Sequence, residues 1–221
     1  MALSHSPRII TDGLVLCLDA ANRKSYPTTG TAWTDLSGLG NTGTLVNGVG
    51  YVGTNGGSLS FDGVDDVITF ASNNIISGTQ NFTVEAIVKS NNTASPDYIF
   101  GNYGLSNYNG LELYSYLNKF RFWYGAETFS NSTISPNTWY ILVCTRSGNT
   151  TSIYINGILD ITGTNPNSIT TSLSYRIGNG PDYNTEIYSG NISKVSVYNR
   201  ALSAAEIKQN YNALKSRYGL T

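Results

Sequence analysis

Short apolar runs alternate with clusters of glycine, asparagine, serine and threonine along the whole chain. Several runs repeat at a period of two. In residues 82–88 the apolar Phe82, Val84, Ala86 and Val88 fall on one face of an extended segment, the pattern of a half-buried strand. Residues 192–197, Ile-Ser-Lys-Val-Ser-Val, read as a second alternating strand. Extended segments are predicted over residues 14–18, 58–61, 67–70, 82–89, 98–101 and 110–114. Further ones follow over 119–124, 138–146, 151–155, 174–177 and 190–198. Asn156-Gly157 is a two-residue hairpin signal, because both residues tolerate positive φ, and Asp62-Gly63 is read in the same way.

The period changes near the end. Ser203 and Glu206 form a capping box, each satisfying a backbone N–H of a first helical turn. Ile207, Tyr211, Leu214 and Tyr218 then recur at helical spacing before Gly219. One helix is predicted over about residues 203–218, its apolar stripe packed on the protein's own sheet edge or on a partner. Many short strands with one terminal helix read as an all-β sandwich or barrel. No linker, charge block or internal repeat divides the 221 residues, so the expected organisation is an arm over 1–12 and one domain over 13–221.

Charge enters by its scarcity. Charged residues make up 12% of the chain, about half the usual fraction. Asn, Ser and Thr occupy 74 positions instead, so the surface is solvated by amides and hydroxyls. Aromatics at 12%, with 16 tyrosines, oppose disorder. A net charge of −1 without a basic run argues against a nucleic-acid partner. The longest fully apolar stretch, residues 139–144, falls far short of the roughly 20 residues of a spanning helix, so no membrane partner is expected. The first seven residues lack the charged-then-apolar order of an export signal. His5 is the single histidine, which disfavours a Ser-His-Asp triad or a His-rich metal site. Cys17 and Cys144 lie in apolar runs and are expected to be reduced and buried. The sequons at Asn81, Asn91, Asn131, Asn149 and Asn191 are no more than this composition produces.

Three strings carry a resemblance: FTVEAIVK, WYILVCTRSGNTTSIYINGI and YRIGN…GNISKVSVYNRALSAAEI. In this order they resemble the laminin-G-like jelly roll of the concanavalin A-like lectin/glucanase superfamily, over about residues 13–211. The resemblance implies a two-sheet antiparallel jelly-roll sandwich with one short C-terminal helix. The N-terminal strings GLVLCLDAANRKSYPTTGTAWTDLSGLGNTGTLVNG and GGSLSFDGVDDVITF are similar to jelly-roll domains of tailed-bacteriophage virion proteins. That similarity implies a virion setting.

The resemblance also directs the search for chemistry. Glucanases of this superfamily place paired carboxylates as Glu-x-Asp-x-x-Glu on one strand. Here Glu85, Glu112, Glu127, Glu186 and Glu206 are isolated in sequence, so no enzyme is expected. Laminin-G-like relatives often hold calcium, and Asp62, Asp65 and Asp66 are the densest acidic cluster. Many relatives read Gly-x-Ile-Asp where this chain has Ser193, which weakens that site; the bland alternative is a solvated turn. For glycans, loop tyrosines and amides combine a stacking face with hydrogen bonds. The candidates are Tyr103, Asn107, Tyr108 and Asn109 in one loop, and Tyr183 and Asn184 in another. Trp123 and Trp139 lie in strand runs and are expected in the core, while Trp33 could anchor either a core or a site.

The expected function is a phage virion structural protein. It would be displayed on the virion surface as a capsid decoration or a tail component, with other virion proteins and host-surface glycans as partners. Residues 1–12 offer an attachment segment, or lie along the domain's own sheet edge. The alternative is a stand-alone carbohydrate-binding lectin.

Overall fold

The computed structural model describes residues 8–71, 75–102, 110–170, 173–180 and 186–221. The strands are β1 (Leu14–Asp19), β2 (Ala32–Trp33), β3 (Gly43–Val46), β4 (Gly50–Val52), β5 (Ser58–Asp62) and β6 (Val67–Phe70). Next come β7 (Phe82–Ser90), β8 (Asp97–Gly101), β9 (Glu112–Tyr116), β10 (Lys119–Trp123) and β11 (Glu127–Phe129). The last are β12 (Tyr140–Ser147), β13 (Thr150–Ile155), β14 (Ile158–Thr164), β15 (Arg176–Ile177) and β16 (Ser189–Tyr198). Helix α1 spans Ala204–Leu214, and a 3-10 turn over Lys215–Tyr218 extends it.

Among the described residues the strands form two antiparallel sheets of eight. The first runs β14-β13-β12-β7-β16-β5-β4, with β1 also on β16; the second runs β11-β10-β9-β8-β15-β6-β3-β2. Their inner faces bury one core. Phe82, Val84, Ala86, Val88, Leu142 and Cys144 from the first sheet meet Ile68, Leu113, Phe120 and Phe122 from the second. This is the predicted jelly-roll sandwich, and the alternation in β7 decides which face is which.

In β16 the alternation is broken, and the break has a cause. The register shifts between Ile192 and Lys194. Ile192, Val195 and Val197 all reach the core as a result. Ser193 is buried at the shift, donates to the Gly57 carbonyl at 2.6 Å and bonds the Tyr218 hydroxyl at 2.7 Å. The same shift divides one edge of β16 between two partners. Residues 189–192 pair with β5, and residues 194–198 with β1.

α1 covers the outer face of the first sheet rather than its edge. Ser203 and Glu206 make the predicted box, and Arg200 braces Glu206 at 2.6 Å. Tyr211, Leu214 and Tyr218 pack on Ile87, Trp139 and Ile141, while Ile207 packs on Val143 and Tyr198. Trp139 is thus buried as expected, and Trp33, for which a core and a site were both open, is buried in the core. Residues 8–12 lie against this layer: Ile10 N–H donates to Asn210 Oδ1 at 2.8 Å, and Gln209 Nε2 to the Arg8 carbonyl at 2.8 Å. Residues 1–7 lie outside the described residues. Cys17 and Cys144 are free and buried on opposite faces of the first sheet, and burial pushes both thiols up.

Two readings need correction. Asn156 and Gly157 do turn with positive φ between β13 and β14. Asp62-Gly63, however, joins β5 in the first sheet to β6 in the second, so it is a corner between sheets rather than a hairpin. The strands β2, β3, β4, β11 and β14 were not expected; they are short, glycine-bearing or exposed.

Candidate functional site

Three neighbouring strands of the second sheet carry chemistry on their outer faces. Leu113, Phe120 and Phe122 point to the core, so Glu112, Tyr114 and Tyr116 of β9 and Arg121 and Trp123 of β10 point outward. The registers align them into rungs. Glu112, Trp123 and Glu127 lie side by side across β9, β10 and β11, and so do Tyr114, Arg121 and Phe129. Pro96 and Glu186 complete the wall of a cleft of about 370 Å³. Glu186 reaches it beside the bridge between Asn179 and Ile187.

Arg121 organises one side. Its guanidinium lies 3.9 Å from the Phe129 ring centre and 4.4 Å from that of Tyr116. Nη1 donates to Glu127 Oε1 at 3.0 Å and to the Tyr114 hydroxyl at 3.2 Å. The Tyr114 hydroxyl donates in turn to Glu127. Burial pushes the Tyr114 phenol up, so it stays protonated as a donor.

The other side is acidic and dry. Glu112 is 3% exposed and lies within hydrogen-bonding reach of Glu186. Burial, then the Glu186 carboxyl, raises the Glu112 carboxyl well above the usual range, against the pull of Arg121. Glu112 Oε1 and Glu186 Oε2 are buried without a donor. Beneath them the fully buried Tyr98 hydroxyl also lacks a partner. Gly101 makes this packing possible: it pairs with Glu112, and a side chain there would meet the Leu111 carbonyl oxygen at 2.1 Å and the Tyr98 hydroxyl at 2.8 Å.

Isolation in sequence does not keep three of the five glutamates apart in space. Glu112, Glu127 and Glu186 converge on one cleft, and Trp123, expected in the core, is half-buried in its wall. The loop candidates Tyr103, Asn107, Tyr108, Asn109, Tyr183 and Asn184 lie outside the described residues. Sequence did hold one signal for the cleft. On β9, β10 and β11 the positions opposite the apolar face are charged or aromatic, in a chain whose polar residues are mostly asparagine, serine and threonine.

The family profile for laminin-G domains (Laminin_G_3, concanavalin A-like lectin/glucanases superfamily) matches residues 61–208, about two thirds of the chain. The chain belongs to the concanavalin A-like lectin/glucanase superfamily. No curated protein matches it by sequence. Among solved structures it is similar to the binding domain of Paraclostridial Mosquitocidal Protein 1, with a TM-score of 0.75 and 16% identity, covering 95% of this chain and 56% of that one. It is similar to domain 4 of AbnA, a GH43 extracellular arabinanase from Geobacillus stearothermophilus, in complex with arabinotriose. There the TM-score is 0.69 and the identity 17%, over 90% of this chain and 98% of that one. The binding domain of Botulinum Neurotoxin DC in complex with SialylT gives 0.71 and 17%, over 92% and 52%. The chain spans about half the length of the two toxin domains.

Membership of this superfamily raises two further chemistries, each of which the geometry tests. A glycosidase holds its carboxyl groups about 5–5.5 Å or 6.5–9.5 Å apart. Glu112 and Glu186 are close enough to share a hydrogen bond, and Glu127 is held by Arg121 and Tyr114, so neither spacing is set up between the first two. Calcium would fall to Asp62, Asp65 and Asp66, whose carboxylate oxygens lie within 4.8 Å of one another. Two carboxylate oxygens of the trio already accept backbone hydrogen bonds: Asp62 Oδ1 accepts Val64 N–H at 2.8 Å, and Asp66 Oδ2 accepts Asp62 N–H at 2.9 Å. Asp66 Oδ1 is buried without a donor. The trio fits a hard cation as a partial oxygen set, short of the six to eight ligands calcium takes. Ser193 contributes nothing there, being bonded to Gly57 and Tyr218.

Proposed function

We propose that this chain is a non-catalytic carbohydrate-binding domain whose ligand seat is the cleft on the second sheet. The observation that carries this reading is the rung arrangement itself. Tyr114, Tyr116 and Trp123 place ring surfaces beside Glu112, Glu127, Glu186 and Arg121 in one cleft. Sugars bind by stacking their apolar faces on rings while carboxylates and guanidinium groups take their hydroxyls. Arabinotriose in complex with the arabinanase domain, a structure of matching extent, supports the class of ligand. Calorimetric titration with arabinose and glucose oligosaccharides tests it. Trp123→Ala should weaken binding at least about tenfold. Binding unchanged by that substitution would place the ligand elsewhere.

A virion-borne setting is a second proposal, and it rests on the similarity of residues 13–48 and 56–70 to phage jelly-roll domains. A cleft of this kind on a particle surface would act through many weak copies at once. Mass spectrometry of purified particles, with copy number counted, tests the placement.

A further inference from the structure

Two oxygens on the floor of the cleft, Glu112 Oε1 and Glu186 Oε2, are buried and accept no hydrogen bond. They come from β9 and from the segment before β16. A buried carboxylate oxygen without a donor is costly. The described neighbours do not supply one. Arg121 is turned to Glu127 and Tyr114, and Arg176 reaches the Gly180 carbonyl. Glu127 adds a third carboxylate to the same wall. Three carboxyl groups thus face the cleft against the one guanidinium of Arg121. The three glutamates do not form a metal cage: among the described residues, only Asp62, Asp65 and Asp66 bring three acidic oxygens within 4.8 Å of one another.

What completes such a floor must bring donors, and positive charge with them. A protonated amine has three N–H donors and no acceptor, and its bonds to carboxylates are about twice as strong as neutral ones. An acidic sugar would bring further acceptors to a floor that already lacks donors. Resting on the carbohydrate-binding reading above, we infer that the cleft selects glycans bearing a free amino group, the ammonium seated between Glu112 and Glu186, and rejects glycans bearing a carboxylate.

The test is calorimetric titration at pH 6 with a glucosamine trimer, its N-acetylated counterpart and sialyllactose. The free amine should bind at least about tenfold tighter than the acetylated trimer, and sialyllactose should give no binding. Glu186→Gln keeps the shape and removes the charge, and it should bring the two trimers within about twofold of each other. Glu112→Gln should do the same, and serves if the first variant melts early. Equal affinity for the two trimers, or preference for sialyllactose, would overturn this inference and leave the carbohydrate reading standing. A preference that survives both glutamine variants would overturn the assigned seat. No binding of any of these sugars, nor of arabinotriose, would instead remove the carbohydrate reading itself.

Discussion

Lys194 and Glu85 face each other beneath α1, with Nζ 2.8 Å from Oε1 and each side chain 1% exposed. Burial alone would push Lys194 down, but the carboxylate beside it more than offsets this, and the ammonium is held charged. Asn210 Nδ2 donates to Glu85 Oε2 at 3.1 Å and ties the pair to the helix. Removing one partner strands the other, so Lys194→Met should cost about 3–5 kcal/mol in urea unfolding. Glu85→Leu with Lys194→Met should recover most of that loss, because a buried pair gains little over apolar residues of similar volume. A second buried carboxyl acts alone. Burial raises Asp97 from 3.8 to about 7, against the opposing bond from Ser189 N–H. The folded protein then holds a proton that the unfolded chain releases more readily. The stability from this group is complete below about pH 4 and is lost as pH rises to about 7. Asp97→Asn should therefore flatten the melting temperature across that range and raise it at pH 8.

At the scale of elements, α1 is a lid of apolar contacts over Ile87, Trp139 and Ile141. Leu214 is 4% exposed, and an aspartate there would bury an unpaired charge. Leu214→Asp should lower stability by at least about 3 kcal/mol by thermal denaturation. An unchanged melting point would mean the helix is undocked. The helix was readable because Ser203, Glu206 and the apolar stripe agree at every level. β7 was readable because Phe82, Val84, Ala86 and Val88 follow one another on one face. β14 was not, because Ile158 and Leu159 are exposed while Gly163 and Asp160 interrupt the run, so its strand state comes from pairing with β13. The Asp62-Gly63 turn was visible, but local chemistry cannot say which sheet the next strand joins. The cleft was hidden for a similar reason. Glu112 and Glu127 are strand neighbours only through Trp123, and Glu186 arrives from much later in the chain.

At the scale of the whole molecule, the division of one β16 edge between β5 and β1 sets an order of events during synthesis. β1 pairs with residues 194–198 and, among the described residues, with no other strand. On the ribosome, the apolar Leu16 and Leu18 must wait for nearly the whole chain before their partner is made. β5 and β7 wait for the same strand. Contacts this distant in sequence close slowly, and unpaired strand edges invite association meanwhile. Chains ending at residue 186 should be insoluble or protease-sensitive in a truncation series, and protection should appear abruptly once residues 189–214 are included. Gradual gain of protection with length would show that the second sheet folds alone. The scarcity of charge then has a further consequence: a half-made sandwich has little like-charge repulsion to hold its open strand edges apart until the last strand emerges.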